Sequence, residues 1–339
     1  MDERTGAPAG RIADSGFRAG RGLGNRHVQS VLGGMPGLRR PSVTRERWEL
    51  DDGDFLDVDW LRPDGRAWAL VLPGLTGGLG SAYAVRLLRA LATAGYRAGL
   101  LNYRGHSGRP NRLATGYHAG FTRDLDTVAQ RLAGKYGPGV VAGYSLGGNL
   151  LLKWLGETGD DAPVRAAAAV SVPFDLAAAA ASLRAGPARA YDRYLLIGLR
   201  RYVRRKFRDR RALPMPLSEL GGLKSIEAFD ERITAPLHGF DGAADYYARA
   251  SCRPWLAKIR VPTLVLNARD DPLVPADSLP AEQDLGASVT LALSDRGGHV
   301  GFIDSHGFGW PRYWLESRLL SHLAGDREPP PANPGGDGL

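Results

Sequence analysis

With 339 residues and 43% apolar side chains, the chain can bury a substantial core and is not disordered throughout. Its one cysteine, Cys252, excludes an internal disulfide framework and any multi-cysteine metal site. The net charge is +8, and residues 189–211 alone hold ten Arg or Lys against two Asp, a surplus of eight, so the rest of the chain is near neutral.

In chain order, residues 1–22 are rich in Gly, Ala and Arg and read as a flexible segment. They lack the apolar centre of a secretory signal. No stretch reaches the roughly 18 apolar residues of a membrane helix, so the expectation is a soluble, cytoplasmic protein. "TRERWEL" and "DFLDVDW" then flank Asp52-Gly53, a hairpin signal. Leu56, Val58 and Trp60 alternate with Asp57 and Asp59, the pattern of a half-buried strand.

Short continuous apolar runs follow, each separated by a helical pattern. "AWALVLPG" (67–74), "RAGLLNYRG" (97–105), "GVVAGYS" (139–145), "AAAAVSVP" (166–173), "VPTLVLNARDD" (261–271) and "SVTLALSDRGGH" (288–299) read as strands. This alternation predicts an α/β fold with a mainly parallel central sheet and helices on both faces. One interval breaks the rhythm. Residues 173–261 contain no convincing strand and are Ala- and Arg-rich, which predicts an inserted helical cap. The expected organisation is a core of residues 23–172 and 262–325, the cap, and a disordered Pro/Gly-rich tail over 326–339.

Within this frame, Gly143-Tyr144-Ser145-Leu146-Gly147 fits G-x-S-x-G between a predicted strand and a predicted helix. Such an elbow lifts a serine above the carboxyl edge of the sheet. The helix that follows points free N–H groups at the site, so Leu146 N–H is a candidate oxyanion donor. A second donor is expected from the loop after "ALVLPGLTGG", at Leu75 or Thr76. A serine hydroxyl needs a base and an orienting acid. His299 follows a strand and Gly297-Gly298, and Asp270 and Asp271 end another strand just before Pro272. Asp271 is the first candidate and Asp270 its competitor. The order Ser145, Asp271, His299 is that of α/β hydrolases. The chemistry needs no cofactor and no metal.

Longer strings resemble the YheT-like branch of the α/β hydrolases, related to the ABHD1/ABHD3 group of eukaryotes. They are "GNRHVQSVLGG", "LNYRGHSGRPNR", "GYHAGFTRDL", "GYSLGGNLLLKWLGE", "VSVPFDLAAAA", "ITAPLHGF", "DYYARAS" and "GGHVGF". The resemblance implies a capped α/β-hydrolase fold and carboxylesterase-type activity on acyl esters. It carries the charge-relay roles of the family onto Ser145, Asp271 and His299. The early loop departs from the usual "HGLEG", because Pro73 stands where that family has His.

The resulting expectation is a serine hydrolase acting on a small-molecule acyl ester through an acyl-enzyme. Two alternatives are an acyltransferase using the same triad and a non-catalytic hydrolase scaffold that binds lipid or membrane. No nucleic-acid motif is present, and the sequence does not give the oligomeric state. The basic segment 189–211 has two readings. With Leu199, Tyr202, Val203 and Phe207 as an apolar stripe, it is an interfacial helix that meets anionic membrane. Otherwise the stripe packs inward and the arginines are solvated.

Overall fold

The computed structural model describes residues 10–34, 40–65, 67–208, 212–304 and 312–325. Strand β1 (Arg11–Asp14) and helix α1 (Arg26–Gly34) come first, then the hairpin β2 (Thr44–Glu49) and β3 (Phe55–Trp60). Strands and helices then alternate through β4 (Trp68–Leu72), α2 (Ala82–Thr93), β5 (Arg97–Asn102), α3 (Arg123–Tyr136) and β6 (Gly139–Tyr144). Helix α4 (Leu146–Thr158) and β7 (Val164–Val170) continue the series. The segment between β7 and the next sheet strand is helical, with α5 (Leu176–Leu183), α6 (Arg189–Lys206), α7 (Ile226–Phe229), α8 (Ala235–His238) and α9 (Ala243–Ala250). The chain returns through β8 (Thr263–Ala268), β9 (Val289–Ser294), the short pair β10 (Ile303–Asp304) and β11 (Arg312–Tyr313), and α10 (Trp314–Ala324).

Nine strands form one sheet in the order β1-β9-β8-β7-β6-β4-β5-β3-β2. Only β2–β3 and β3–β5 pair antiparallel; the other pairs are parallel. The continuous apolar runs follow from this layering, because a parallel strand is covered on both faces. In β4, Leu70 and Leu72 join Val128 of α3 and Leu151 of α4 in one core. Ala69 and Val71, pointing the opposite way, join Leu87 of α2 and Leu319 of α10 in the other.

Two expectations are corrected. Residues 11–14, expected to be flexible, form β1 at the sheet edge, where Arg11 to Asp14 pair with Thr290 to Leu293. Composition hid the strand, since none of its four residues is buried and only Ile12 packs on the core. The strand β3 is not half-buried: all six residues are buried, with Asp57 at 2% and Asp59 at 0% exposure. Arg47 and Arg45 of the neighbouring β2 each clasp one of these aspartates with two hydrogen bonds. The arginines bury the carboxylates beneath them, which alternation alone does not anticipate. The expected tail, residues 326–339, lies outside the described residues.

One buried cation ties the hairpin to the sheet. Arg104, 2% exposed, clasps Asp124 of α3 at 2.7 and 2.8 Å, and its Nη1 donates to Asp52 at 2.8 Å and Asp54 at 3.2 Å. The neighbouring Tyr103 donates to Pro73 O at 2.8 Å and stacks on Tyr117. Tyr117 in turn accepts from Thr76 N–H at 3.3 Å, so the hub holds the loop after β4 in place. We predict that Arg104→Ala lowers unfolding stability by about 3–5 kcal/mol, because buried carboxylates lose their counter-charge. Urea unfolding measures it, and a loss under about 1 kcal/mol, the size of an exposed pair, would remove the hub from this role.

Candidate active site

Ser145 joins β6 to α4 with φ +51° and ψ −118°, a backbone conformation that side-chain-bearing residues rarely adopt. Its N–H donates to Val170 O at 2.8 Å, and its carbonyl accepts from Asn149 N–H at 3.0 Å. The flanking glycines are required by close approach. A Cβ at Gly143 would lie 2.4 Å from Gly147 O, and one at Gly147 would lie 2.5 Å from Pro73 O. The helix can therefore start directly beneath the ends of β4 and β6, with Ser145 at its tip.

His299 lies on the loop after β9. Its N–H donates to Ser30 Oγ of α1 at 2.8 Å, and the next N–H, of Val300, donates to Ser171 Oγ at 2.9 Å. Its ring Nδ1 stands 2.8 Å from Asp271 Oδ2 and 3.1 Å from Oδ1. That carboxylate is fully shielded from solvent, and its Oδ1 also accepts from the N–H groups of Leu273 and Val274. A carboxylate beside Nδ1 fixes the proton there and leaves Nε2 as the acceptor nitrogen. Asp270 faces elsewhere. It accepts from Gly298 N–H at 2.9 Å, and burial, followed by the charge of Asp271, raises its pKa. Of the two candidate acids, only Asp271 meets the imidazole.

The loop after β4 has few free donors. Gly74 N–H donates to Tyr83 OH, Thr76 N–H to Tyr117 OH, Gly77 N–H to Gly74 O and Gly78 N–H to Ser81 Oγ. Among the described residues, Leu75 is the one position of this run whose N–H has no partner. The Leu146 N–H, first in α4, is also unpartnered. Leu75, Ser145, Leu146 and His299 line one cavity.

That cavity, about 130 Å³, runs beneath the helical segment and is walled mainly by apolar side chains, including Leu183, Leu199, Val203, Ile226 and Phe229. A wider groove of about 480 Å³ reaches Ser145 and His299 from outside, between α1 and α6. The inner space suits an unbranched apolar group and the outer one a bulkier part of a ligand. Of the stripe Leu199, Tyr202, Val203 and Phe207, Leu199, Val203 and Phe207 are buried, at 6%, 0% and 1% exposure, and Tyr202 is half-buried against His106 and Tyr117. The stripe packs inward and cannot meet a membrane, which corrects that version of the interfacial reading.

Several polar residues of the cavity wall carried no signal in the sequence. Asp230 is buried and accepts from Thr234 Oγ1 at 2.6 Å and Tyr247 OH at 2.8 Å. His118 Nδ1 accepts from Gly120 N–H at 3.2 Å, and burial pushes its pKa down to about 3. His238 donates from Nδ1 to Thr234 O, accepts at Nε2 from Gly116 N–H, and is also shifted down by burial. Asp230 sits in the charged run "FDER" and His118 in a loop, so neither stands out locally.

A family model described as alpha/beta hydrolase fold matches residues 70–305. The chain is 39% identical to YheT of Escherichia coli (strain K12), named as an esterase, over 89% of this chain and 91% of that one. It is 32% identical to human Phospholipase ABHD3 over 81% of this chain and 71% of that one. It is 31% identical to the Monoacylglycerol lipase of Saccharomyces cerevisiae over 73% and 57%. Among solved structures, the Pyrococcus furiosus esterase Pf2001 superposes with a TM-score of 0.51 at 16% identity, covering 76% of this chain and 85% of that one. At that identity the likeness concerns the fold.

The buried carboxyl of the cavity wall generates a pH prediction. Burial raises the Asp230 pKa from 3.8 to about 7. A carboxyl whose folded value is raised contributes most below its unfolded value, and that contribution is lost as pH rises through the folded value. Asp230→Asn removes the ionisation and keeps an acceptor oxygen for one of the two hydroxyls, while its amide N–H can donate to the oxygen of the other. Its melting temperature should therefore gain on the wild type between pH 4 and pH 8, by the equivalent of a few kcal/mol at most. A difference between the two proteins that stays constant with pH would mean that Asp230 ionises as readily in the fold as in the open chain.

Proposed function

Since the chain belongs to the α/β-hydrolase family, and within it to the YheT-like branch, we propose that it cleaves carboxylic esters of apolar acyl groups through Ser145, His299 and Asp271. At the coarser level it is a hydrolase of the esterase type acting on small-molecule esters. The observation that carries the finer reading is a conjunction. A serine in left-handed backbone at a strand–helix elbow shares a cavity wall with an imidazole whose far nitrogen stands 2.8 Å from a shielded carboxylate.

In this reading Ser145 Oγ attacks the acyl carbonyl while His299 Nε2 takes its proton. Asp271 holds the Nδ1 proton and stabilises the imidazolium. The developing oxyanion accepts from the N–H groups of Leu75 and Leu146, two cavity-lining residues whose donors have no other partner among the described residues. Collapse breaks the bond to the alcohol oxygen, and His299 returns the proton to that alcohol. Water then repeats the sequence: it loses a proton to His299, attacks the acyl carbon and releases the acid with Ser145 restored. The apolar inner cavity supports an acyl chain there, with the alcohol in the outer groove. Relatives named for phospholipids and monoacylglycerols are consistent with lipid esters as the substrate class.

Three outcomes follow. Ser145→Ala should lower kcat on p-nitrophenyl esters by at least about three orders of magnitude with an unchanged unfolding transition, and should abolish labelling by a fluorophosphonate. Retention of more than about a tenth of the activity, well beyond residual catalysis, would move the nucleophile elsewhere. Asp271→Asn should cost about 10⁴ in kcat and exceed the loss in Asp270→Asn; the opposite ranking would transfer the orienting role. Across p-nitrophenyl esters of growing acyl length, kcat/KM should rise above that of the acetate. An acetate optimum would mean that the inner cavity does not take the acyl chain.

A further inference from the structure

Five large apolar side chains are well exposed among the described residues: Val28 at 39%, Val31 at 54%, Tyr194 at 73%, Ile197 at 49% and Tyr313 at 39%. They are not scattered. Val28 and Val31 sit one turn apart on α1, and Tyr194 and Ile197 sit one turn apart on α6. The two helices touch where His27 stacks on Tyr191 at 5.9 Å, with His27 Nδ1 3.1 Å from the Tyr191 hydroxyl. Tyr313 lies over the Arg86 guanidinium, which donates to Gly33 O near the end of α1. Val31 and Tyr194 also line the outer groove that leads to Ser145. Val31 and Tyr194 thus flank the mouth of the site, with Val28 and Ile197 one turn away on the same two helices.

The charge of α6 shares that face. Tyr194, Ile197, Arg201 and Arg204 recur at i, i+3, i+7 and i+10, so they project on one side of the helix, and the exposed Arg193 falls beside them. Leu196, Leu199 and Val203 occupy the opposite, buried side. Among the described residues, Arg193, Arg201 and Arg204 have no ion-pair partner. The one acid inside α6, Asp192, is buried and accepts from Ile226 N–H. An apolar patch of a few large side chains, flanked by unpaired arginines on one helix face, is complementary to a surface that is apolar in depth and anionic outside.

We infer that this face of α1 and α6 docks the protein on an anionic lipid bilayer, with the groove mouth turned toward the membrane. Val28, Val31, Tyr194 and Ile197 enter the headgroup boundary, and the arginines of α6 pair with anionic headgroups. The hydrolase reading gives this docking a purpose, since an acylated lipid would enter the groove without crossing water. The docking does not itself depend on that reading, and the test keeps the two apart.

The test uses the full chain carrying Ser145→Ala, so that no product forms, and sedimentation with vesicles of phosphatidylcholine alone or mixed with phosphatidylglycerol. Binding to the mixed vesicles, absent with phosphatidylcholine and weakened by salt, is expected. The pair Val28→Glu with Ile197→Glu, and separately Arg201→Glu with Arg204→Glu, should each weaken binding at least about tenfold, since each interfacial cation contributes strongly near an anionic surface. In the Ser145 background, both pairs should keep p-nitrophenyl acetate turnover and the unfolding transition. No sedimentation with anionic vesicles at low salt would overturn the proposal. So would binding that survives Val28→Glu with Ile197→Glu, because general charge attraction would then suffice. A dimer that replaces vesicle binding and is abolished by the same pair would show that a second copy covers the face. Vesicle binding by a protein that hydrolyses no soluble ester would retain the docking and sink the esterase reading.

Discussion

The site depends on a steric constraint, the absence of side chains where α4 starts beneath the sheet. With no Cβ on Gly143 or Gly147, the first turn of α4 comes within contact of the backbone ends of β4 and β6. That closeness forces Ser145 into left-handed backbone and turns its side chain out of the layered core. Such a conformation costs of the order of 1–3 kcal/mol and persists only where its surroundings over-determine it. Here Val170 O and Asn149 N–H hold it from either side. The same closeness brings the start of α4 beside the loop after β4, so Leu75 and Leu146 reach one space.

Around that point the polar groups fall into two sets. At the mouth, Asp271 is held by backbone N–H groups and by the His299 ring, and the N–H groups of Leu75 and Leu146 have no partner among the described residues. Those in the cavity wall, Asp230, Thr234, Tyr247 and His238, satisfy one another. Buried polar groups that are mutually bonded fix the shape of an apolar cavity without offering it free charge. The helices between β7 and β8 thus supply both the apolar lining and the frame that keeps it open.

Features with a local cause were legible in the sequence. The elbow shows as glycines spaced about a serine, and the parallel sheet as unbroken apolar runs. His299 shows as a histidine after Gly-Gly at a strand end, and its ring lies beside Asp271. Between the adjacent Asp270 and Asp271 the sequence offers only the place of Asp271 before Pro272; in the fold the Asp271 carboxylate meets the His299 ring and Asp270 meets Gly298 N–H. Features with a non-local cause were missed. Asp57 and Asp59 read as solvent-facing until Arg45 and Arg47 fold over them. Arg104 shows nothing locally of its three carboxylate partners, which lie 20 to 52 residues away. On α6 both faces carry apolar residues, and only packing tells which face is covered. Strand β1 was invisible because its partner, β9, lies at the other end of the chain.

The bond between His299 N–H and Ser30 Oγ spans 269 residues, and it has a bearing on the order of folding. Contacts between distant parts of a chain form late, because they close the longest loops. The elbow at Ser145 can assemble once β4, β6 and β7 are paired, strands that end by Val170. The imidazole reaches its place only when the C-terminal strands have joined the sheet and α1 has come across to meet them. During synthesis Ser145 therefore exists for many residues without the His299 imidazole nearby. A chain interrupted before β9 would carry the elbow with no imidazole beside it, so under the proposed mechanism reactivity would arrive only with the closing of the whole molecule.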